Sequence, residues 1–389
     1  MVPKGLNTST GSEPPAEQQS LRDAVLEFAR RELGGIAGDR AEETYSRELW
    51  KRCAEFGIQG LPVPPEYGGA GAKPMTIILT LEALGYGCRN NGLIFSLNAQ
   101  MWACEIPIVK FGDERQKRRY LPGLCDGSLI AAHAMSEPGS GSDAFSLRTT
   151  ARREGDGYVL NGTKTFVTNA PEADLFVLFA TTDPSSSFAG LCAFLVERDT
   201  PGLTVGPPLE KMGLRGSPMS ELFLDDCRLS EEQVLGRPGG GMGVFSTSME
   251  WERGCILAST VGTMQHQLER CIAYAREREQ FGQPIGGFQA VSHRIVDMKL
   301  RLETARLLLH HLGSLMEQGK ASPMDSAMTK LHLSESFVQS SLDAIQIHGG
   351  YGYMKEYELE QDLRDAIGSR LYSGTSELQR NIVARHLGL

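Results

Sequence analysis

The hydrophobic period of this chain changes twice, and no other feature constrains its fold as much. From Ser20 to about Asp126 apolar residues recur at helical spacing. Leu21, Val25, Phe28 and Ala29 share one face after a Ser20-x-x-Asp23 start, and Met75 to Leu84 and Trp102 to Phe111 are further apolar stretches. Around Leu129 the period shortens to that of strands. Gly157 to Asn161, Leu175 to Ala180, Cys192 to Val196 and Glu221 to Leu224 are short, rich in β-branched and aromatic residues, and separated by turns such as Gly155-Asp-Gly157. After Gly236-Arg-Pro-Gly-Gly-Gly-Met-Gly243 the pattern is helical again, in runs at Val244 to Arg276, Gln289 to Gln318 and Met324 to His348, with a last short helix from Ser376. The prediction is an α+β protein: a helical domain over 20–128, a β domain over 129–236 and a helical domain over 237–389.

Composition narrows the function class. A chain of 389 residues exceeds one ordinary domain, and 41% hydrophobic with 22% charged residues is usual for a globular protein. No apolar run approaches the roughly 18 residues of a membrane span. The net charge of -9 is spread along the chain, which argues against a nucleic-acid partner. Eight scattered cysteines without a C-x-x-C pair fit reduced thiols in the cytoplasm, and neither they nor the histidines have metal-ligand spacing. The opening residues 1–19 lack a basic start and an apolar segment, so they read as a disordered leader rather than a secretory signal.

Two segments carry more than packing. Ala134-Met-Ser-Glu-Pro-Gly-Ser-Gly-Ser-Asp143 is a loop between β segments, with glycines where backbone must approach a ligand and hydroxyls free to donate. Asn161-Gly-Thr-Lys-Thr-Phe-Val-Thr-Asn169 sets an aromatic, a β-branched residue and a threonine on consecutive strand positions, suited to a flat heteroaromatic ring. Gly239-Gly-Gly-Met-Gly243 lacks the surrounding βαβ unit of a dinucleotide site and reads as a hinge. Near the C-terminus, Ser376 followed by Gln379 fits a capping box, with Glu377 in the first turn and Ser373-Gly-Thr375 just before it.

From Ser20 to Leu389 the chain resembles the acyl-CoA dehydrogenase family of flavoproteins. The resemblance rests on Tyr67-Gly-Gly-Ala-Gly71, Ser136-Glu-Pro-Gly-Ser-Gly-Ser-Asp143, Asn161-Gly-Thr-Lys164, Gly213-Leu-Arg-Gly-Ser217, Arg278-Glu-Gln-Phe-Gly282, Gln346-Ile-His-Gly-Gly350 and Leu371-Tyr-Ser-Gly-Thr-Ser-Glu-Leu-Gln-Arg380. It implies a β-barrel-like middle domain, a C-terminal four-helix bundle and a homotetramer or homodimer, with FAD between domains and across a subunit interface. The flavin ring would lie against His133, Met135 and Ser136 on one strand end and Phe166, Val167 and Thr168 on the other, with Gly141 and Ser142 bordering cofactor and substrate. From a neighbouring subunit, Arg278 would pair with the pyrophosphate while Phe281 and Gln289 flank the adenosine half. Gln346, Gly349 and Gly350 would meet the other end of the cofactor, and Thr375 with Glu377 would cap its flavin side.

The family desaturates thioesters: a carboxylate removes the α proton and the β hydrogen leaves as hydride to flavin N5. The thioester oxygen needs donors as charge develops on it, and the family uses a ribityl hydroxyl and one backbone N–H, here that of Ser373. Most members carry the glutamate base at that position. A serine cannot replace it without an activating base of its own. Ser248-Met-Glu-Trp-Glu-Arg-Gly-Cys-Ile-Leu257 offers a substitute. Residues two apart on a helix point about 200° apart, so only one of Glu250 and Glu252 can face a pocket. The isovaleryl-CoA dehydrogenase branch places its base immediately before an arginine, which matches Glu252 before Arg253, and the resemblance puts Arg253 with Ser142 at the substrate. Trp251, Ile256 and Leu257 would raise its pKa. Glu250, or no base at all, are the alternatives.

Met249-Glu-Trp-Glu-Arg253, Met298 to Leu309 and the Ser-Gly-Thr-Ser ending are also similar to prolyl carrier-protein dehydrogenases. The implied substrate is an acyl-CoA or a phosphopantetheine carrier-protein thioester. The electron acceptor is an electron-transfer flavoprotein, or oxygen in an oxidase. A catalytically silent flavoprotein with a binding role is the reading from another class, which Ser373 motivates and Glu252 opposes.

Overall fold

The structure, a computed structural model, describes residues 16–33 and 44–389. The N-terminal part is built from α1 (Ala16–Phe28), α2 (Arg47–Phe56), α3 (Pro74–Gly87), α4 (Asn91–Gln100), α5 (Ile106–Phe111) and α6 (Glu114–Cys125). Helix α1 opens upstream of the Ser20 start, so residues 16–19 are helical rather than leader; residues 1–15 lie outside the described part. A π-helical turn, Met101–Glu105, joins α4 to α5. The joined helix, Asn91–Phe111, is long and apolar enough to cross a membrane, contrary to the sequence reading, but 83% of its most apolar window is buried inside the fold. Its apolarity serves the core, where Leu97, Trp102 and Ile108 are fully enclosed.

The middle domain is a sheet of β1 (Ala131–Ala134), β2 (Thr150–Glu154), β3 (Gly157–Thr168), β4 (Leu175–Thr181), β5 (Leu191–Glu197), β6 (Leu203–Val205), β7 (Met219–Ser230) and β8 (Val234–Leu235). Its order is β6-β7-β3-β2-β4-β5-β8, with β1 parallel beside β4. Strand β4 is buried along its whole length because it serves two cores. Phe176, Leu178 and Ala180 face the sheet interior with Leu160, Phe194 and Leu222, while Leu175, Val177 and Phe179 pack against Ile108, Leu124 and Val244 of the helices.

The C-terminal part contains α7 (Gly241–Cys255), α8 (Ala258–Glu277), the hairpin β9 (Glu279–Gln280) and β10 (Gln283–Pro284), α9 (Gln289–Glu317), α10 (Pro323–His348), α11 (Leu359–Ser369) and α12 (Ser376–His386). The single run expected from Val244 to Arg276 is two helices, interrupted at Ile256-Leu257. Helix α11 escaped the sequence reading because its buried face carries aspartates. Asp362 accepts from Gln267 at 3.1 Å and Asp365 from Asn91 at 3.1 Å.

The first and last domains meet where α3 crosses α8 on two glycines. A Cβ at Gly85 would stand 1.9 Å from the Ser259 carbonyl oxygen, and one at Gly262 would stand 2.0 Å from that of Glu82. Beside the crossing, buried Arg306 of α9 donates to Glu82 at 2.8 Å and to Gln265 at 2.6 Å. Backbone cannot yield as a side chain does. Gly85→Ala is expected to cost about 1–3 kcal/mol or more through overpacking, read as a lower urea midpoint at unchanged slope.

Candidate active site

Helix α7 leads out of the β domain and carries Glu250 and Glu252 to different surroundings. Glu250 is exposed. Glu252 points towards the turn before α12, where the Ser373 hydroxyl donates to its Oε1 at 2.5 Å. The residue keeps part of its surface accessible, yet its carboxyl is desolvated, and burial pushes its pKa up from the ordinary value. The Ser373 hydroxyl, the Arg253 guanidinium and the Lys330 ammonium oppose that rise. An accessible but poorly hydrated carboxylate is what proton abstraction from carbon requires. Trp251, one residue before, stacks on buried Trp102 of the π turn, with ring centroids 5.9 Å apart.

The turn is held from three sides. Arg253 Nε donates to the Ser373 carbonyl at 3.3 Å, and Gln379 Nε2 donates to the carbonyls of Ser373 and Gly374 at 3.1 and 2.8 Å. Lys330 Nζ, from α10, donates to Gly374 at 2.8 Å and stands 5.9 Å from the Tyr372 ring centroid. Burial pushes that ammonium down to about 8. The carbonyls are thus engaged, while the N–H of Ser373 finds no acceptor among the described residues. A backbone donor without an acceptor, next to a carboxylate, is compatible with the oxyanion role expected for it. The sequence reading missed Lys330. The available signal was a lysine at helical spacing between Ala327 and Leu333, on the face that α10 buries.

The cap at this turn differs from the expected one. Thr375 is the N-cap of α12, its Oγ1 accepting from Leu378 N–H at 3.3 Å. Ser376 is buried and donates instead to Glu335 at 2.6 Å. Gln379, engaged by the turn carbonyls, is no capping-box partner. Glu377 stands exposed in the first turn.

The strand segments expected to face a flavin do come together: Thr165 N–H donates to the Ser136 carbonyl at 2.9 Å. The pairing of β3 with β7 slips between Lys164 and Val167. At this irregularity Phe166 adopts φ 55° and turns outward, 67% exposed. Ser136 and Thr168 keep partial exposure beside it. Met135 and Val167 point into the cores, so they offer only backbone here. The His133 ring packs between Phe179 and Phe245, at 5.1 and 6.2 Å, and burial pushes its pKa down to about 4.

The remaining motifs form a second, exposed group. Arg278 lies over the Tyr351 ring at 5.6 Å and makes no ion pair among the described residues. Phe281, at φ 52° on the hairpin, is 93% exposed. Gln289, Gln346, Gly349 and Gly350 are exposed, and Cβ atoms added at Gly349, Gly350 or Gly141 would meet nothing within 4 Å. Gly141 and Ser142 lie on the exposed loop beyond Ser136. A guanidinium without an acid, open glycine backbone and bare aromatics fit a dinucleotide with a flavin ring and pyrophosphate.

Comparison with known proteins agrees. The sequence profiles of the acyl-CoA dehydrogenase N-terminal, middle and C-terminal domains match residues 15–128, 132–227 and 239–388. An L-prolyl-[peptidyl-carrier protein] dehydrogenase from Pseudomonas fluorescens is 45% identical over 374 residues, covering 96% of this chain and 98% of its own. The solved structure of the prolyl acyl carrier protein oxidase AnaB is 48% identical with TM-score 0.94, over 97% of this chain and 100% of that one. PigA, solved with FAD and proline, is 43% identical with TM-score 0.95, over 97% and 99%. The chain therefore belongs to the acyl-CoA dehydrogenase family, as an FAD-dependent oxidoreductase acting on the CH–CH group of acyl thioesters.

Proposed function

We propose that the protein dehydrogenates a prolyl-type aminoacyl thioester held on the phosphopantetheine arm of a carrier protein, with Glu252 as the α-proton base. The observation that carries the assignment of the base is the desolvated Glu252 carboxyl held at 2.5 Å by Ser373, while Glu250 is exposed. The names of the relatives, two of them prolyl carrier-protein enzymes, support the substrate class. Glu252 Oε2 takes the α proton, and the Ser373 N–H donates to the thioester oxygen as charge gathers there. Trp251, Ile256 and Leu257 would wall the carboxylate off from water, in keeping with the burial that raises its pKa. When bound, FAD supplies the acceptor for the β hydrogen, which leaves as hydride. His133, Met135, Ser136, Gly141, Ser142, Phe166, Val167 and Thr168 would hold its flavin half. The partner copy's Arg278, Phe281 and Gln289 would hold the rest, in a homotetramer within the reducing cytoplasm.

Anaerobic flavin bleaching tests the substrate. L-Prolyl carrier-protein thioester is expected to bleach the flavin at least about tenfold faster than prolyl-CoA, butyryl-CoA or isovaleryl-CoA. Faster bleaching by a simple acyl-CoA would overturn the carrier-protein reading. Electron-transfer flavoprotein is the acceptor in this reading. Aerobic turnover without an added acceptor should therefore release little peroxide, and stoichiometric peroxide would make the enzyme an oxidase.

A further inference from the structure

Ser373 occupies a backbone conformation that glycine would adopt more readily. Its φ is 55°, in the left-handed region where a Cβ is crowded, and Gly374 follows at 89°. The main-chain duties of the turn do not require a side chain. Arg253, Gln379 and Lys330 grip carbonyl oxygens, and the free N–H belongs to the backbone. A non-glycine residue kept in such a conformation points to a task for its side chain. The hydroxyl has one partner among the described residues, Oε1 of Glu252.

We propose that Ser373 is a positioning residue: its hydroxyl holds Oε1 of the Glu252 carboxylate and leaves Oε2 to receive the α proton. The inference rests on Glu252 being the base. In the direction of reaction the substrate C–H bond breaks, the proton passes to Oε2, and the electron pair enters the thioester enolate. The Ser373 proton stays on its oxygen throughout. A carboxylate fixed at one oxygen need not be ordered in the transition state, and a donor to it favours the ionised form. The charged or titratable groups facing Glu252 are Arg253 from its own helix, Lys330 from α10, Cys104 from the π turn and Tyr372 from the turn itself. Neither Cys104 nor Tyr372 carries charge at neutral pH, since burial raises both. Among the described residues only the hydroxyl bonds to the carboxylate directly.

The test compares Ser373→Ala and Ser373→Gly with the parent in the flavin-loaded enzyme. Glycine removes the hydroxyl and relieves the left-handed conformation together, so a purely structural serine predicts an enzyme at least as good. The expected result is different. Both variants keep flavin, and Ser373→Gly keeps or raises the thermal midpoint. Yet in both the acid limb of bleaching rate against pH moves up by about one pH unit, and the plateau rate falls about tenfold. The sign follows from the base having to be ionised: without the donor its protonated form persists to higher pH. Infrared difference titration without substrate reads the same carboxyl independently, its protonated band disappearing at higher pH in Ser373→Gly and being absent in Glu252→Gln. If neither band nor limb moves, the role of Ser373 is overturned while that of Glu252 stands. If the band moves and the limb does not, Glu252 is not the base and both readings fall.

Discussion

Glu252→Gln is expected to retain FAD and to slow anaerobic, substrate-dependent bleaching by about a thousandfold or more, within the range that a positioned general base contributes. The variant keeps the shape of the side chain, and Ser373 still has an amide oxygen to donate to. What it loses is the ability to accept a proton at the end of α7. The other carboxylate on this stretch cannot take over, because Glu250 is exposed on another side of the helix. Nor can the neighbouring hydroxyl. Ser373 would need to be ionised, and the one partner of its hydroxyl among the described residues is the carboxylate that would be missing. Unchanged bleaching in the Gln variant would overturn Glu252 as the base and assign the proton to another group. A loss of flavin along with activity would be uninformative about the proton, so the visible spectrum is recorded first. Glu250→Gln is the matched control and should bleach at close to the parent rate.

The second large effect concerns the strands proposed to face the flavin. Lys164 of β3 is fully buried, and its Nζ donates to Glu137 at 2.8 Å and to the Met135 carbonyl at 3.1 Å. Glu137 in turn accepts the backbone N–H groups of Arg148 and Thr149, at 2.7 and 3.0 Å. Burial pushes the Glu137 carboxyl up, but the Lys164 ammonium and these donors more than offset it and hold the pKa below the usual range. One ion pair thereby ties β3 to both ends of the loop that carries Gly141 and Ser142. Lys164→Met is expected to cost about 3–5 kcal/mol, because it strands an uncompensated carboxylate in the interior. With the loop released, flavin should be lost on gel filtration. A fall in the urea midpoint together with flavin loss checks the prediction. Adding Glu137→Gln to Lys164→Met removes the stranded charge but leaves an oxygen for a backbone N–H, so it should recover much of the stability. A single variant as stable as the parent would mean that the pair is neutral at working pH.

The two predictions differ in how far the sequence anticipates them. The proposed base was legible because its signal is local: a glutamate immediately before an arginine, on a helix whose period is plain, in a chain whose motifs stand in family order. The lysine was not, although Lys164 sits inside a quoted motif. Nothing in Asn161-Gly-Thr-Lys164 says that the ammonium is buried, and that depends on the strand slip placing β3 beside Ser136. The same slip decides which residues of Phe166-Val-Thr168 show side chains to a ligand. Strand alternation alone would put Phe166 and Thr168 on one face, as observed, but it does not foresee φ 55° or the degree of exposure. The capping error has a similar cause. Thr375 and Ser376 are both good N-caps by type, and what selects between them is Glu335 on α10, which takes the Ser376 hydroxyl.

By itself the sequence determined the three-part order, the helical and β character of each part, the family, and the helix that bears the proposed base. Those follow from periodicity and from short motifs, which act over one or two turns of chain. Only the tertiary structure decided what Ser373 does. Its side chain reads as an absent base in the sequence, but in the fold its hydroxyl meets Glu252 across a separation of 121 residues, in a turn held by Arg253, Lys330 and Gln379. No local pattern encodes such a contact, because the geometry of the contact is set by how α7, α10 and α12 pack together.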